Sequence, residues 1–104
     1  MTLRNFKEQI LKAIKKGKIK WTVHAIKRLR DREIKHNEII QVICQGKIIE
    51  KSEKAKPFPK YLIMDFVREK RPLYVSIAFD NETIYIITLH WLDFQKWINP
   101  WKRK

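Results

Sequence analysis

The sequence predicts an α+β fold in which two or three N-terminal helices pack on a C-terminal antiparallel sheet of three to four strands. Three observations predict this class. Apolar residues recur at three- and four-residue steps over the first 45 positions, whereas positions 47–89 hold short runs that alternate apolar and polar side chains. With 104 residues and 44% apolar side chains, the chain has room for one hydrophobic core. We therefore take residues 1–104 as a single domain.

The helical part divides into three predicted helices, each with its own boundary signals. They are expected at about residues 3–17, 22–32 and 36–45. Thr22 is a residue type that accepts the first free backbone N–H groups of a helix, so we expect it to be the N-cap of the second helix. Gly46 is well placed as the residue that ends the third helix in a left-handed conformation.

The second half is predicted to be strands. We expect them at residues 47–52, 61–67, 73–79 and 83–89, with a proline-containing loop at 54–60 and a hairpin turn at 80–82. Ile19–Trp21 is predicted to be a short extended segment between helices. The aromatic tail, residues 91–104, is predicted either to pack as a short helical or irregular flap, or to form a docking surface.

The net charge of +13, from 24 basic and 11 acidic residues, predicts a polyanionic partner. Residues 1–60 carry +11 of it. A lysine-rich surface of a heat-adapted protein is the alternative, although such surfaces usually mix both signs. The single cysteine, Cys44, is predicted to be a buried, inert thiol, and neither a metal site nor a cofactor is predicted. The absence of an apolar leader and of a membrane-length apolar run predicts a cytoplasmic protein.

The predicted second helix contains the residues most suited to chemistry on a phosphodiester. His24 and Arg28 lie four positions apart and therefore share a helix face. An imidazole can exchange protons with a ribose hydroxyl, and a guanidinium can stabilise the charge of a phosphoryl transition state. The alternative is structural: His24 would bond a backbone carbonyl under the sheet, and Arg28 would pair with Asp31 or Glu50.

The same helix resembles a family motif. Residues 24–34 read HAIKRLRDREI, which resembles the H-A-x-x-R-M-x-x-R-x-I signature of the family known as domain of unknown function 4258. The resemblance covers about residues 19–90 and continues through segments 46–50, 56–59, 71–75 and 86–89. Three positions depart from the usual pattern: Leu29, Glu33 and Lys35.

This resemblance implies a compact domain similar to the RelE/ParE-like toxins, with helices followed by an antiparallel sheet. Toxins of that superfamily are commonly ribonucleases or gyrase poisons, and an antitoxin often inhibits them. The family itself has no established activity, so catalysis is an analogy at the level of the fold.

A metal-independent ribonuclease needs a base, an acid and a cation near the phosphate, and the sequence can supply all three. The predicted catalytic residues are His24, Arg28, Tyr74 and His90. The predicted nucleic-acid-binding residues are Lys15, Lys16, Lys18, Lys20, Lys27, Arg30, Arg32, Lys56, Arg68 and Arg71. Tyr61 is a second candidate for the acid, whereas His36 is expected to be exposed and outside the site.

Three functions follow as hypotheses. The first is a RelE-like toxin that binds RNA, including ribosome-associated mRNA, and cuts it. The second is a non-catalytic basic module that binds nucleic acid. The third is an interaction protein whose partner is an antitoxin or another acidic protein. In that case the tail aromatics would form the anchor, or would join two copies in a homodimer: Trp91, Phe94, Trp97 and Trp101.

Overall fold

The helices precede most of the strands along the chain, and one short strand lies between the first two helices. A computed structural model describes the backbone of residues 3–68, 70–91, 97–99 and 102–103, and the side chains of residues 5–68 and 70–91. The helices are α1 (Leu3–Lys15), α2 (Val23–Asp31) and α3 (His36–Gln45). The strands are β1 (Ile19–Trp21), β2 (Lys47–Ser52), β3 (Lys60–Val67), β4 (Arg71–Phe79), β5 (Ile84–Trp91), β6 (Trp97–Asn99) and β7 (Lys102–Arg103). The α+β class is therefore confirmed.

The main sheet has five strands in the order β1-β5-β4-β3-β2, so the predicted count of three to four was too low. Strands β2 to β5 form the expected antiparallel meander. The additional strand is β1, which pairs parallel to β5 from Ile19 opposite Ile84 to Trp21 opposite Ile86. Three residues are too few to show an alternating pattern, and the pairing is made with a segment more than 60 positions away.

Two of the predicted helix boundaries are confirmed, and the role of one glycine is corrected. The Thr22 hydroxyl accepts a hydrogen bond from the Ala25 N–H at 3.1 Å and so caps α2. Gly46 follows α3 as expected, but its φ of −73° is not left-handed. Glycine is required there by space, since a Cβ would lie 2.5 Å from the carbonyl oxygen of Val42 and 2.7 Å from that of Met64.

The sheet separates two apolar clusters of very different size. The larger one lies between the sheet and the helices and includes Phe6 of α1, Ala25 of α2 and Ile39 of α3. The smaller one lies on the opposite face and consists of buried Leu62, Met64 and Tyr74 with Ile49 packed against them. Neighbouring strand residues point to opposite faces, so both faces of the sheet bury apolar side chains.

A bulge in β5 decides which of its residues face the helices. Ser76 pairs with Thr88 and Ile77 with Ile86, so Ile87 has no partner in the register. The extra residue allows both Ile86 and Leu89 to lie in the large cluster although they are three positions apart. It also turns His90 to the opposite face.

The described part of the tail forms strands rather than the predicted helical or irregular flap. β6 and β7 pair antiparallel as a separate two-stranded sheet. Of Trp97 only the backbone is described, and Phe94 and Trp101 lie outside the described residues. No helix in the described ranges has the length and apolar character needed to span a bilayer.

Candidate nucleic-acid interface

The position of α2 is fixed at both of its ends by the backbone of β5. At the start, the Thr22 hydroxyl lies within donating distance of the carbonyl oxygens of Ile86 and Ile87, at 2.9 and 3.0 Å. At the end, the Arg32 guanidinium donates to the Leu89 carbonyl oxygen at 3.2 Å. The Ile86 carbonyl oxygen also accepts the Thr22 N–H at 3.2 Å, directly after the pairing of β1 with β5. Together these contacts hold the intervening residues of α2 in a defined place.

His24 and Arg28 lie together on the outer side of α2. The Nε of Arg28 is 3.4 Å from the Nε2 of His24, a long contact between neighbouring turns. His24 is exposed and Arg28 is half-buried. The structural alternative, in which His24 bonds beneath the sheet and Arg28 pairs with Asp31 or Glu50, is therefore not what the structure contains. Instead, an imidazole and a guanidinium face solvent side by side.

Exposed cations lie close to this pair along the chain. We define the basic surface as Arg28 together with five exposed cations at and just after the end of α1, in β1 and in α2: Lys15, Lys16, Lys20, Lys27 and Arg30. In the described part of the chain, none of these six forms a salt bridge. Residues 12–32 contain nine basic residues and one acidic residue. Like charges at this density are costly unless an anion lies against them.

Two other predicted phosphate contacts are placed differently. Lys18 forms an exposed salt bridge with Glu82, so part of its charge is compensated. Together with Lys12 and Lys16 it lines an open pocket of ≈ 250 Å³ between α1 and the β4–β5 turn. Lys56 is exposed in the proline loop, away from α2 in the sequence.

Tyr74 and His90 form a second pair, on the opposite face of the sheet from the helices. They are register partners on β4 and β5. Their rings stack with centroids 4.9 Å apart and planes only 6° from parallel. Tyr74 has no exposed surface and belongs to the smaller apolar cluster. A phosphate therefore does not reach the Tyr74 side chain in this conformation.

The structure thus assembles the four predicted catalytic residues as two pairs rather than one site. Within the described residues, no hydrogen bond or ring contact joins His24 to Tyr74 or His90. The β5 bulge is the physical reason for His90. Strict alternation from Ile84 and Ile86 would point His90 toward the helices, and the extra residue reverses it. The alternative acid, Tyr61, packs its ring 4.5 Å from that of Phe6, and burial raises its pKa.

Arg68 is held by a buried carboxylate at the turn between β3 and β4. Its Nε and one terminal nitrogen donate to the two oxygens of Glu38, each at 2.7 Å, and it also donates to the Glu33 carbonyl oxygen. Burial alone would raise the pKa of Glu38, but hydrogen bonds from Arg68 and from the Lys35 N–H bring the pKa below its usual value. Arg68 adopts a φ of +40°, and these bonds offset the cost of that conformation.

Trp91 joins this turn to the end of α2. Its indole N–H donates to the Arg32 carbonyl oxygen at 3.2 Å, and its ring packs against the large cluster. The guanidinium carbons of Arg68 and Arg71 lie 5.3 and 3.9 Å from its ring centroid. Trp91 was predicted to be the first anchor of the tail, but it is the last residue of β5 and is half-buried.

The remaining titratable side chains singled out by the sequence or by their pKa make contacts within the protein. Lys7 donates to the Gly46 carbonyl oxygen at 2.6 Å, and burial lowers its pKa. Cys44 was predicted to be buried but is half-buried, and burial raises the pKa of its thiol, a direction that favours the protonated form. The ring of His36 lies 5.4 Å from that of Trp21. Among the described residues, no three His, Cys, Asp or Glu side chains converge as metal ligands would.

Two residues of this region were not predicted from the sequence: Glu38, and Trp91 in its contacts with arginine. Glu38 is the one charged residue that the described core buries, at 7% exposure. Its signal is a carboxylate on the apolar side of α3, one position before Ile39. Such a group needs a cationic partner, but the sequence does not say that the partner is 30 positions away.

Comparison with known proteins gives one result. No curated protein and no solved structure matches the chain. A family model, that of the domain of unknown function DUF4258, matches residues 21–91. The match spans α2, α3, and β2 to β5. It includes the His24–Arg28 pair, the Tyr74–His90 pair and the contacts of Arg68 and Arg71 with Trp91. The chain therefore belongs to the DUF4258 family.

Proposed function

We propose that this domain binds single-stranded RNA through the basic surface. The observation that carries the proposal is the exposure of Lys15, Lys16, Lys20, Lys27 and Arg30 without acidic partners among the described residues. Phosphate oxygens are the natural acceptors for such a set, and release of the counterions around the RNA would drive binding. RNA is favoured over DNA by the resemblance to RelE-like toxins and by the exposed imidazole beside Arg28.

The test measures how RNA affinity depends on salt. For a labelled single-stranded RNA, we expect log K to fall linearly with log salt concentration. Replacing Lys20, Lys27 and Arg30 together by Gln should reduce the slope by about 2, since each phosphate contact on a single strand contributes about 0.7. Fluorescence anisotropy gives both the affinity and the slope.

A control variant with the same loss of charge separates local contacts from net charge. Lys51, Lys54 and Lys60 are exposed on β2, β3 and the turn between them, and Lys51 forms an exposed salt bridge with Glu53. Replacing these three by Gln should leave the slope close to that of the wild type. Absence of RNA binding by the wild type, or equal loss in both triple variants, would contradict the proposal.

Cleavage of the bound RNA is a second candidate, favoured by the His24–Arg28 contact of 3.4 Å. His24 would take the proton of a ribose 2′-hydroxyl as it attacks the adjacent phosphorus, and Arg28 would stabilise the charge that develops on the phosphoryl oxygens. The bond between phosphorus and the 5′-oxygen of the RNA would then break, and the departing oxygen would take a proton from water, leaving a 2′,3′-cyclic phosphate and a new 5′-hydroxyl. Tyr74 has no part in this step, because its side chain is buried.

Cleavage is tested separately from binding. His24→Ala should abolish production of the cyclic phosphate while RNA affinity changes little, and His36→Ala should keep both activities. If the wild type leaves bound RNA intact, binding is the whole function. A RelE-like toxin role would add growth arrest on expression, relieved by His24→Ala. The order of helices before a four-stranded antiparallel meander supports that role.

A further inference from the structure

Three segments meet at the end of the sheet where α2 stops: Arg32 at the end of α2, the β3–β4 turn and the end of β5. Trp91 lies at their meeting point. Its N–H bond to the Arg32 carbonyl oxygen and its packing against the large cluster fix the position of the indole. Any group held on that ring is therefore held in a defined place relative to α2.

Two arginines contact the ring, and they differ in what neutralises them. Arg68 donates hydrogen bonds to Glu38 and to the Glu33 carbonyl oxygen, and only a third of its side chain is exposed. Arg71 lies closer to the ring, at 3.9 Å, and is exposed. Within the described residues, Arg71 has no carboxylate partner. The charge of Arg68 is thus neutralised by Glu38, whereas no described carboxylate neutralises the charge of Arg71.

The contact with Trp91 prepares Arg71 for a ligand. A cation–π contact restrains a guanidinium without occupying its N–H donors in hydrogen bonds to oxygen. A restrained arginine loses less conformational entropy when a ligand binds. Its planar fork matches two oxygens of a phosphate, which an ammonium group does not.

We propose that Arg71, held on Trp91, is a phosphate-binding subsite for the backbone of bound RNA. This inference rests on the proposed RNA binding and adds a second contact point to it. His24 and Arg28 share one face of α2, and Arg32, the C-cap residue of that helix, lies eight positions after His24, about 12 Å along the helix axis. Arg71 lies beyond the Arg32 end. It therefore binds a phosphate other than the one at His24.

The test follows the side-chain signals of the arginines by nuclear magnetic resonance. In the ¹⁵N-labelled full chain, the Nε–Hε signal of Arg71 is identified by its loss in Arg71→Lys. A uridine trinucleotide, which has phosphodiesters but no terminal phosphate, and inorganic phosphate are titrated separately. We expect the trinucleotide to shift the Arg71 signal saturably, while the Arg68 signal stays in place because Glu38 already occupies it. No shift with the trinucleotide would overturn the subsite. A shift with inorganic phosphate alone would overturn it too, since the site would then bind free anion only.

Affinity for longer RNA provides the second measurement. Arg71→Lys keeps the charge and removes the fork, so it should weaken binding about 10-fold at fixed salt. Lys70→Arg is the matched control at the neighbouring exposed position and should change affinity less than about 2-fold. If the wild type binds RNA and Arg71→Lys binds equally well, the subsite fails while the proposed function stands. If the wild type binds neither longer RNA nor the trinucleotide, the proposed function and the subsite both fail.

Discussion

His24 and His90 are chemically identical side chains in opposite surroundings. His24 projects from α2 into solvent beside Arg28. His90 lies on the far side of β5, stacked on a fully buried tyrosine. The first arrangement leaves an imidazole free to meet a ligand, whereas the second uses an imidazole as a packing surface. Residue type alone therefore does not assign a histidine to a function, and one inserted residue in a strand decides between the two roles.

The same contrast holds for the surfaces on which they lie. The basic surface has six cations that no described carboxylate neutralises, so its electrostatic energy is lowered by an external anion. The Tyr74 side of the sheet is satisfied internally by apolar packing with Leu62 and Met64. We accordingly expect substitutions on the sheet face to affect stability, and substitutions on the α2 surface to affect binding.

The largest expected effect is on stability and comes from Tyr74→Ala. Removing a fully buried aromatic ring loses its transfer free energy and leaves a cavity, so the free energy of unfolding should fall by about 3–5 kcal/mol. Urea denaturation measures this change. A loss below about 1 kcal/mol would mean that the ring does not pack in a core, and the distinction between the two pairs would be lost.

Glu38→Gln is expected to have the next largest effect. The variant removes a charge that accepts two hydrogen bonds from Arg68, and because Arg68 is partly exposed we expect a loss of about 1.5 kcal/mol at neutral pH.

The effect should also depend on pH. The pKa of Glu38 in the folded chain lies below its usual value of 4.5, so the stabilisation is fully present above pH 4.5 and is lost as the pH falls through the folded pKa. Urea denaturation of both proteins at several pH values should show their difference shrinking in acid. A constant difference would contradict the ion pair.

Thr22→Ala should have a smaller effect, about 1 kcal/mol, because it removes the cap of α2 and its bond to the β5 bulge. Thr22→Ser keeps the hydroxyl and should lose less. Thermal unfolding compares the two variants. Weaker anchoring of α2 should also lower RNA affinity, in the same order as it lowers stability. Equal stability in all three proteins would show that the bulge contact does not hold the helix.

His24→Ala should have the smallest effect on stability, within about 0.5 kcal/mol, because the side chain is exposed. Its consequence should instead be on cleavage, as set out above. A strong loss of stability, measured by urea denaturation beside Tyr74→Ala, would place His24 with His90 as a structural residue.

Much of the fold was predictable because its signals are local. The bounds of α3 matched, Thr22 caps α2, and the four antiparallel strands follow the apolar alternation. What was not predictable depends on contacts between distant segments. The pairing of β1 with β5 joins positions more than 60 apart, and the space at Gly46 is limited by the distant Met64 backbone as well as by the nearby Val42 backbone.

The candidate site shows the same division. The helical spacing of His24 and Arg28 was enough to predict that they share a face. The separation of His90 from His24 was not predicted, because the run 84–91 was taken as one alternating strand. The adjacent Ile86 and Ile87, where the apolar alternation changes phase, are the signal that marks the bulge. Nor did the spacing of Glu38, Arg68 and Trp91 along the chain indicate that they would meet.

One titration distinguishes the two histidines directly, since RNA is expected to contact His24 while His90 remains structural. The chain has three histidines, so the imidazole ring C–H signals of His24, His36 and His90 can be resolved and assigned from single His→Ala variants. On addition of single-stranded RNA at low salt, we expect the His24 signal to shift or broaden saturably while the His90 signal stays unchanged. A shift of the His90 signal with the His24 signal unmoved would contradict RNA binding at α2.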